Sequence, residues 1–338
     1  MSNTGQDRLE RQIKYRERIL KNDNNLKLSG TLFIINLIQL WRDNQNIKLN
    51  VEEMLHGIFF LGHIHEKKIL PDDFITTDEN RTTLKTHFPS AFKMYSTTPP
   101  KQTPFSKLLD VAVKIGYKDE TEIRTFAWTF LRKLNPPFSL KGETLDYLTM
   151  EPNVIAVCYM ETQGEEPVKH YGPSLSFRKD ISKNLMINWL CLEVWHEYVA
   201  YAVLSHRYGT PHSINFPETV QCQAFIRKQN IYTGEHVPKD PCRRCGDLFS
   251  LPTTGPIVST PYGNCAETEC YSKLLKSGDA INVVDSIRQD LEREGRERYH
   301  QEWTDLQTKA KRDYQKGWDV IRKRWEKASV SSKYMNLR

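Results

Sequence analysis

The apolar residues of this 338-residue chain change their spacing once, after about residue 140, and neither an all-helical nor an all-strand fold accommodates that change. Upstream, they recur at helical intervals. Residues 7–22 carry Leu9, Ile13 and Leu20 at such intervals among charged positions, which predicts an amphipathic helix. Ser29 is suited to cap a second helix reaching about Trp41. A third helix over residues 51–67 stops before Pro71. Residues 72–104, rich in Thr and Pro, read as loop. Helices then fit residues 106–115 and 120–134, the latter ended by Asn135-Pro136-Pro137.

Downstream the pattern is different. Residues 154–160 (VIAVCYM) form a short β-branched apolar run suited to a buried strand. A second strand is predicted over residues 174–177, and a third over residues 220–227, where apolar and polar residues alternate. Residues 181–204 are apolar nearly all round, which predicts one long buried helix. Residues 285–328 read as one or two charged helices whose Trp303, Trp318 and Trp325 pack against the domain. The expected fold class is α+β to α/β. It has a helical N-terminal region (1–140), a middle part (150–284) with a central sheet flanked by helices, and a charged helical tail (285–338).

Hydrophobic residues make up 38% and charged residues 27% of the chain, enough for a packed core with a polar helical surface. The net charge of +6 is too mild to single out a nucleic-acid partner. Residues 1–25 lack an apolar signal core. The longest apolar stretch, residues 32–41, is interrupted by Asn36 and Gln39 and falls well short of the ~20 residues that span a bilayer. These features predict no secretory signal, no membrane association and a cytoplasmic or nuclear setting. The seven cysteines are then expected to stay reduced, which favours metal or redox chemistry over disulfides.

Four of those cysteines cluster in sequence. Pro241-Cys242-Arg243-Arg244-Cys245 is a C-x-x-C turn, which holds two thiolates close enough to share a tetrahedral metal. Cys265-Ala266-Glu267 opens a predicted helix after the turn residues Gly263 and Asn264. A cysteine at a helix N-terminus is favoured as thiolate by the helix dipole. Cys270 lies five residues on, about 140° round that helix, poorly placed to share the same ion.

These two segments resemble the P-C-x-x-C and C-A-E motifs of the zinc-dependent cytidine and nucleic-acid deaminase superfamily, although their order along the chain is reversed. The resemblance implies Zn²⁺ as cofactor, with Cys242, Cys245 and Cys265 as ligands and Glu267 as a proton shuttle that does not bind the metal. It implies hydrolytic deamination of a nucleobase, and a nucleotide or single-stranded nucleic acid as partner. Three protein ligands leave a fourth position for water, whose pKa zinc lowers toward neutrality. Arg243 or Arg244, or backbone N–H groups, are expected to hydrogen-bond the sulfurs and offset the charge of three thiolates. Tyr262 and Phe249 are candidate walls for stacking a base.

Other readings stay open. Cys242, Cys245, Cys265 and Cys270 also fit a closed structural Cys₄ module that staples residues 240–270 in a non-enzymatic interaction protein. The same cysteines can be metal-free core residues, or the C-x-x-C a redox pair. Cys191-Leu192-Glu193 restores the superfamily's motif order but lies inside a predicted helix. His63 and His65 read as packing residues, and His196-Glu197 lacks the second histidine of a metalloprotease helix. His206, His212 and His236 precede the cysteines and are candidates to line a pocket or replace a ligand.

Overall fold

The two helices expected at the start of the chain form one, α1 (Asn3–Asp43). Ser29 does not cap a helix; it is buried in the middle of α1. Beside it, Gly30 lets another side chain come close: a Cβ there would stand 2.5 Å from the Phe74 ring. Gly62 of α2 (Lys48–His63) meets the same ring, at 2.8 Å from such a Cβ. The Ser-Gly pair therefore serves helix packing, and α1 runs through it. A computed structural model describes residues 3–134, 150, 152–162, 164, 166–177, 180–227, 236–253 and 260–335. The expected helix stop at Asn135-Pro136-Pro137 and the side chains of the amphipathic stretch 7–22 lie outside what it describes.

The stretch expected as loop contains two helices, α3 (Asp78–His87) and α4 (Pro89–Met94). Residues 97–102 carry no helix or strand, as expected, but four of the other Thr and Pro residues are helix starters. Thr77 Oγ1 accepts from Asn80 N at 3.3 Å, and Pro89 occupies the first turn of α4, where its missing N–H costs nothing. Thr103 and Pro104 do the same for α5 (Pro104–Lys114). α6 (Glu120–Leu134) follows as expected.

By its contacts the chain divides into two units. The first comprises Met1–Pro100, Thr129–Glu151 and Ile321–Arg338; the second comprises Lys101–Trp128 and Pro152–Val320. Aromatic rings knit the first: Phe33 lies 4.8 Å from Phe130, edge to face, and His63 lies 4.7 Å from Trp325. His65 pairs with Asp23 at 2.8 Å, so His63 and His65 are packing residues as expected.

The second unit holds a four-stranded antiparallel sheet in the order β2-β1-β3-β4. β1 (Val154–Met160) and β3 (Val220–Arg227) stand where the sequence predicted strands. β2 is His170–Pro173, four residues earlier than expected. Ser174 N still donates to Val154 O of β1 at 2.8 Å, and the backbone leaves the sheet at Leu175, whose N donates to Asn264 O at 3.0 Å. β4 (His236–Lys239) carries Pro238 and forms one edge, where a missing N–H is tolerated.

The single long helix expected over residues 181–204 is two, α7 (Asp180–Glu193) and α8 (Glu197–Tyr208). His196 makes the break, because its Nδ1 accepts from Tyr198 N at 3.3 Å and caps α8. The sheet is covered by α10 (Ala266–Lys276), which follows the short α9 (Arg243–Phe249). The charged α11 (Ile281–Met335) is interrupted at Gly295, whose φ is 119°. Trp303 packs on Tyr201, and Trp318 on Tyr314 of its own helix. Among the described residues no helix is long and apolar enough to cross a membrane.

Candidate metal centre

Two helix starts build the site. Cys242 occupies the N-cap position of α9, and its carbonyl accepts from Cys245 N at 2.9 Å and Gly246 N at 3.1 Å. That turn places Cys245 beside it. Cys265 is the N-cap residue of α10, with its carbonyl accepting from Thr268 N at 3.2 Å. α9 and α10 are held together by Phe249 and Tyr271, whose rings lie 4.6 Å apart, with Phe216 stacked on Tyr271 at 4.1 Å.

The three sulfurs converge. Cys242 Sγ lies 3.5 Å from Cys245 Sγ and 3.4 Å from Cys265 Sγ. All three lie within 4.8 Å of one another, a spacing that can hold a metal ion, and theirs is the one such group of ligating side chains among the described residues. The thiols share their protons. Those of Cys245 and Cys265, with the backbone N–H groups of Cys245 and Arg244, hold the Cys242 thiol far below its ordinary pKa. The same sharing with Cys242, and burial, push Cys245 and Cys265 up. A divalent cation held by these sulfurs would remove that competition and let all three ionise.

Cys270 is not part of the group. It is buried one turn further along α10, where its Sγ donates to His170 O at 2.8 Å on the sheet side. Cys191, the alternative ligand, sits inside α7, and burial raises its thiol to about 12. His206 lies against the Tyr262 ring and His212 against Tyr201.

Glu267 is buried in the first turn of α10, two residues beyond Cys265. Burial and the Cys222 and Cys242 sulfurs raise its pKa to about 7, while its own backbone N–H and the Cys245 side chain oppose the rise. Two buried polar atoms flank these residues in sequence: Asn264 Oδ1 and Thr268 Oγ1, neither with a partner among the described residues.

Of the two proposed stacking walls, Phe249 is consumed in the core. Tyr262 is half-buried and fixed by its hydroxyl, which donates to Asp247 Oδ2 at 2.9 Å. The Arg244 guanidinium lies over its ring, 4.5 Å from the centroid. The Arg244 contribution to the Cys242 sulfur comes from its backbone N–H.

No family model, curated protein or solved structure matches this chain.

One buried network escaped the sequence. Lys273 Nζ reaches Asp110 Oδ1 at 2.6 Å, Ser106 Oγ at 3.2 Å, Tyr171 O at 2.8 Å and Glu269 Oε1 at 3.3 Å. Burial works against its charge, but Asp110 and Glu269 more than offset that and keep it protonated. A protonated lysine cannot act as base toward Ser106, so this cluster is a clamp joining α5, β2 and α10. Only the Glu269–Lys273 spacing of four was legible in advance. Ser106 and Asp110 come from more than 150 residues away in the chain.

Proposed function

We propose that this chain is a zinc-dependent hydrolytic deaminase of a nucleobase, free or within a nucleic acid. The observation that carries the reading is the three-sulfur set: Cys242, Cys245 and Cys265 converge while Cys270 turns toward the sheet. A set of three leaves one position of a tetrahedral ion for a non-protein ligand, as catalytic zinc sites do. The spacings suit zinc, since ligands at about 2.3 Å in tetrahedral array stand about 3.8 Å apart. Zinc bound there supplies Lewis acidity, which makes water nucleophilic near neutral pH.

The protein supplies the proton transfers. Glu267 carries a buried carboxylate beside the sulfurs, and it takes the proton of the attacking water and delivers it to the departing amine. A C–O bond forms at the ring carbon as its double bond to the ring nitrogen opens, the C–N bond to the amine breaks and ammonia leaves, and the second proton of the water ends on the ring nitrogen so that a carbonyl remains. The backbone N–H groups at the start of α9 moderate the charge of the thiolates.

A second reading draws on the packing around the centre. Phe249 and Tyr271 bind α9 to α10, so a zinc that merely staples residues 240–270 of an interaction protein would find the same surroundings. X-ray absorption on the zinc-loaded protein separates the two. Three sulfurs and one lighter ligand are expected, together with ammonia release from a cytosine- or adenine-bearing substrate. Four sulfurs around the ion would end the catalytic reading.

A further inference from the structure

The second unit contains a cleft of about 520 Å³ that none of the chemistry above uses. Its walls include Asn184 of α7, Arg207 of α8, Arg244 of α9, Tyr262, and Asp313 and Lys316 of α11. Arg207, Arg244 and Lys316 are its cations and Asp313 its one anion; the other nine of its thirteen lining residues are uncharged. The cleft adjoins the candidate metal centre along the chain: Arg244 lies between Cys242 and Cys245, and Tyr262 stands three residues before Cys265.

The two arginines are held in place. Arg207 Nη2 donates to Asn184 Oδ1 at 3.0 Å, and its Nη1 reaches Tyr262 O at 3.5 Å. Nη2 also donates to Tyr208 Oη at 3.3 Å, so these bonds take both Nη2 N–H groups and leave one N–H of Nη1 for an incoming oxygen. The Arg207 Nε is buried and has no partner among the described residues. Arg244 is fixed over the Tyr262 ring. Lys316 bridges to Asp313 at 3.2 Å, yet its side chain remains 64% exposed at the rim. Arginine stays charged at any physiological pH, and its planar fork matches phosphate oxygens in pairs. The volume falls within the range of small-ligand pockets.

We propose that this cleft binds the phosphate of a nucleotide, with Arg207 and Arg244 gripping the oxygens and Lys316 attracting them from the rim. The phosphate belongs to a free mononucleotide or to a single strand. The assignment of a nucleotide rests on the deaminase reading; the anion contact does not.

Calorimetry on the zinc-loaded full chain tests it, with inorganic phosphate, with CMP and AMP each against its nucleoside, and with a short single-stranded oligonucleotide. The monophosphates should bind about tenfold or more tightly than their nucleosides, the effect of a charge-assisted hydrogen bond, and inorganic phosphate should compete. Arg244→Gln should erase about tenfold of that advantage, with zinc content measured to show that the metal centre is intact. Lys316→Glu, at an exposed position of α11 whose ion pair is with Asp313 of the same helix, should weaken phosphate binding several-fold and so guards against misfolding of the first variant. An oligonucleotide that binds with the same dependence on both residues assigns the phosphate to a strand; binding confined to the mononucleotides assigns it to a free nucleotide. Equal binding of nucleoside and monophosphate, no binding of inorganic phosphate at millimolar concentration, or a phosphate advantage unchanged in both variants would overturn the proposal. Phosphate binding in a protein that releases no ammonia upholds the cleft and counts against the reaction alone.

Discussion

Glu267 and Cys265 stand two residues apart on α10, and changing each should produce a different failure. Glu267→Gln keeps shape and polarity but removes the proton-accepting carboxylate. If Glu267 carries protons, zinc content and melting temperature should hold, and ammonia release should fall by about 10²–10⁴. Cys265→Ala removes one of the three converging sulfurs, so, if they hold zinc, zinc affinity and melting temperature should fall together. A Glu267→Gln protein with unchanged turnover would remove this residue from the mechanism. The closeness of Cys242 and Cys245 was readable in sequence because it is local, whereas Cys265, 23 residues from Cys242, joined them only through the motif resemblance. C-x-x-C closes within one turn, and Cys265 follows a Gly-Asn turn. The 140° offset of Cys270 on a helix was readable too, and its thiol does point to the sheet. Arg207 was not readable, because its role depends on Asn184 and Tyr262, which are 23 and 55 residues distant.

At the level of elements, the site depends on how closely α10 lies on β2. Gly172 of β2 is the point of closest approach: a Cβ there would stand 2.7 Å from both Ala266 O and Cys270 N. Those are backbone atoms of α10, which cannot swing aside as a side chain can. Gly172→Ala should therefore destabilise the fold by about 1–3 kcal/mol, the usual effect of overpacking. It should also weaken metal binding, since the displaced helix carries Cys265. Chemical denaturation and zinc titration of the variant check both, and unchanged zinc affinity would show that the metal centre tolerates movement of α10. Periodicity located helices and strands where it was regular, as in α6, β1 and β3. Elements were misplaced where one residue has two uses. Thr77, Pro89, Thr103 and Pro104 are loop formers by composition and helix starters by position. His196 looks like one more residue in an apolar helix, but its ring accepts a backbone N–H and divides α7 from α8.

For the whole molecule, the mixed architecture could be anticipated from the change in periodicity, whereas the grouping of segments into units depends on contacts far apart in sequence. The three sulfurs lie in the second unit. Metal removal should act there: a strong chelator is expected to speed amide hydrogen exchange in α9, α10 and β2 while leaving α2 and α4 of the first unit protected. Exchange that rises equally in α2 and α10 would show that the two units open as one. The first unit is assembled from three separated segments, and one of them, Ile321–Arg338, follows every residue of the second unit in sequence. On the ribosome this inverts the usual order in which domains mature from the N-terminus. Met1–Pro100 precedes the second unit along the chain and must wait, incomplete, while all of that unit emerges. A chaperone that shelters nascent chains would therefore meet the apolar faces of α1 and α2 for longer than any part of the second unit.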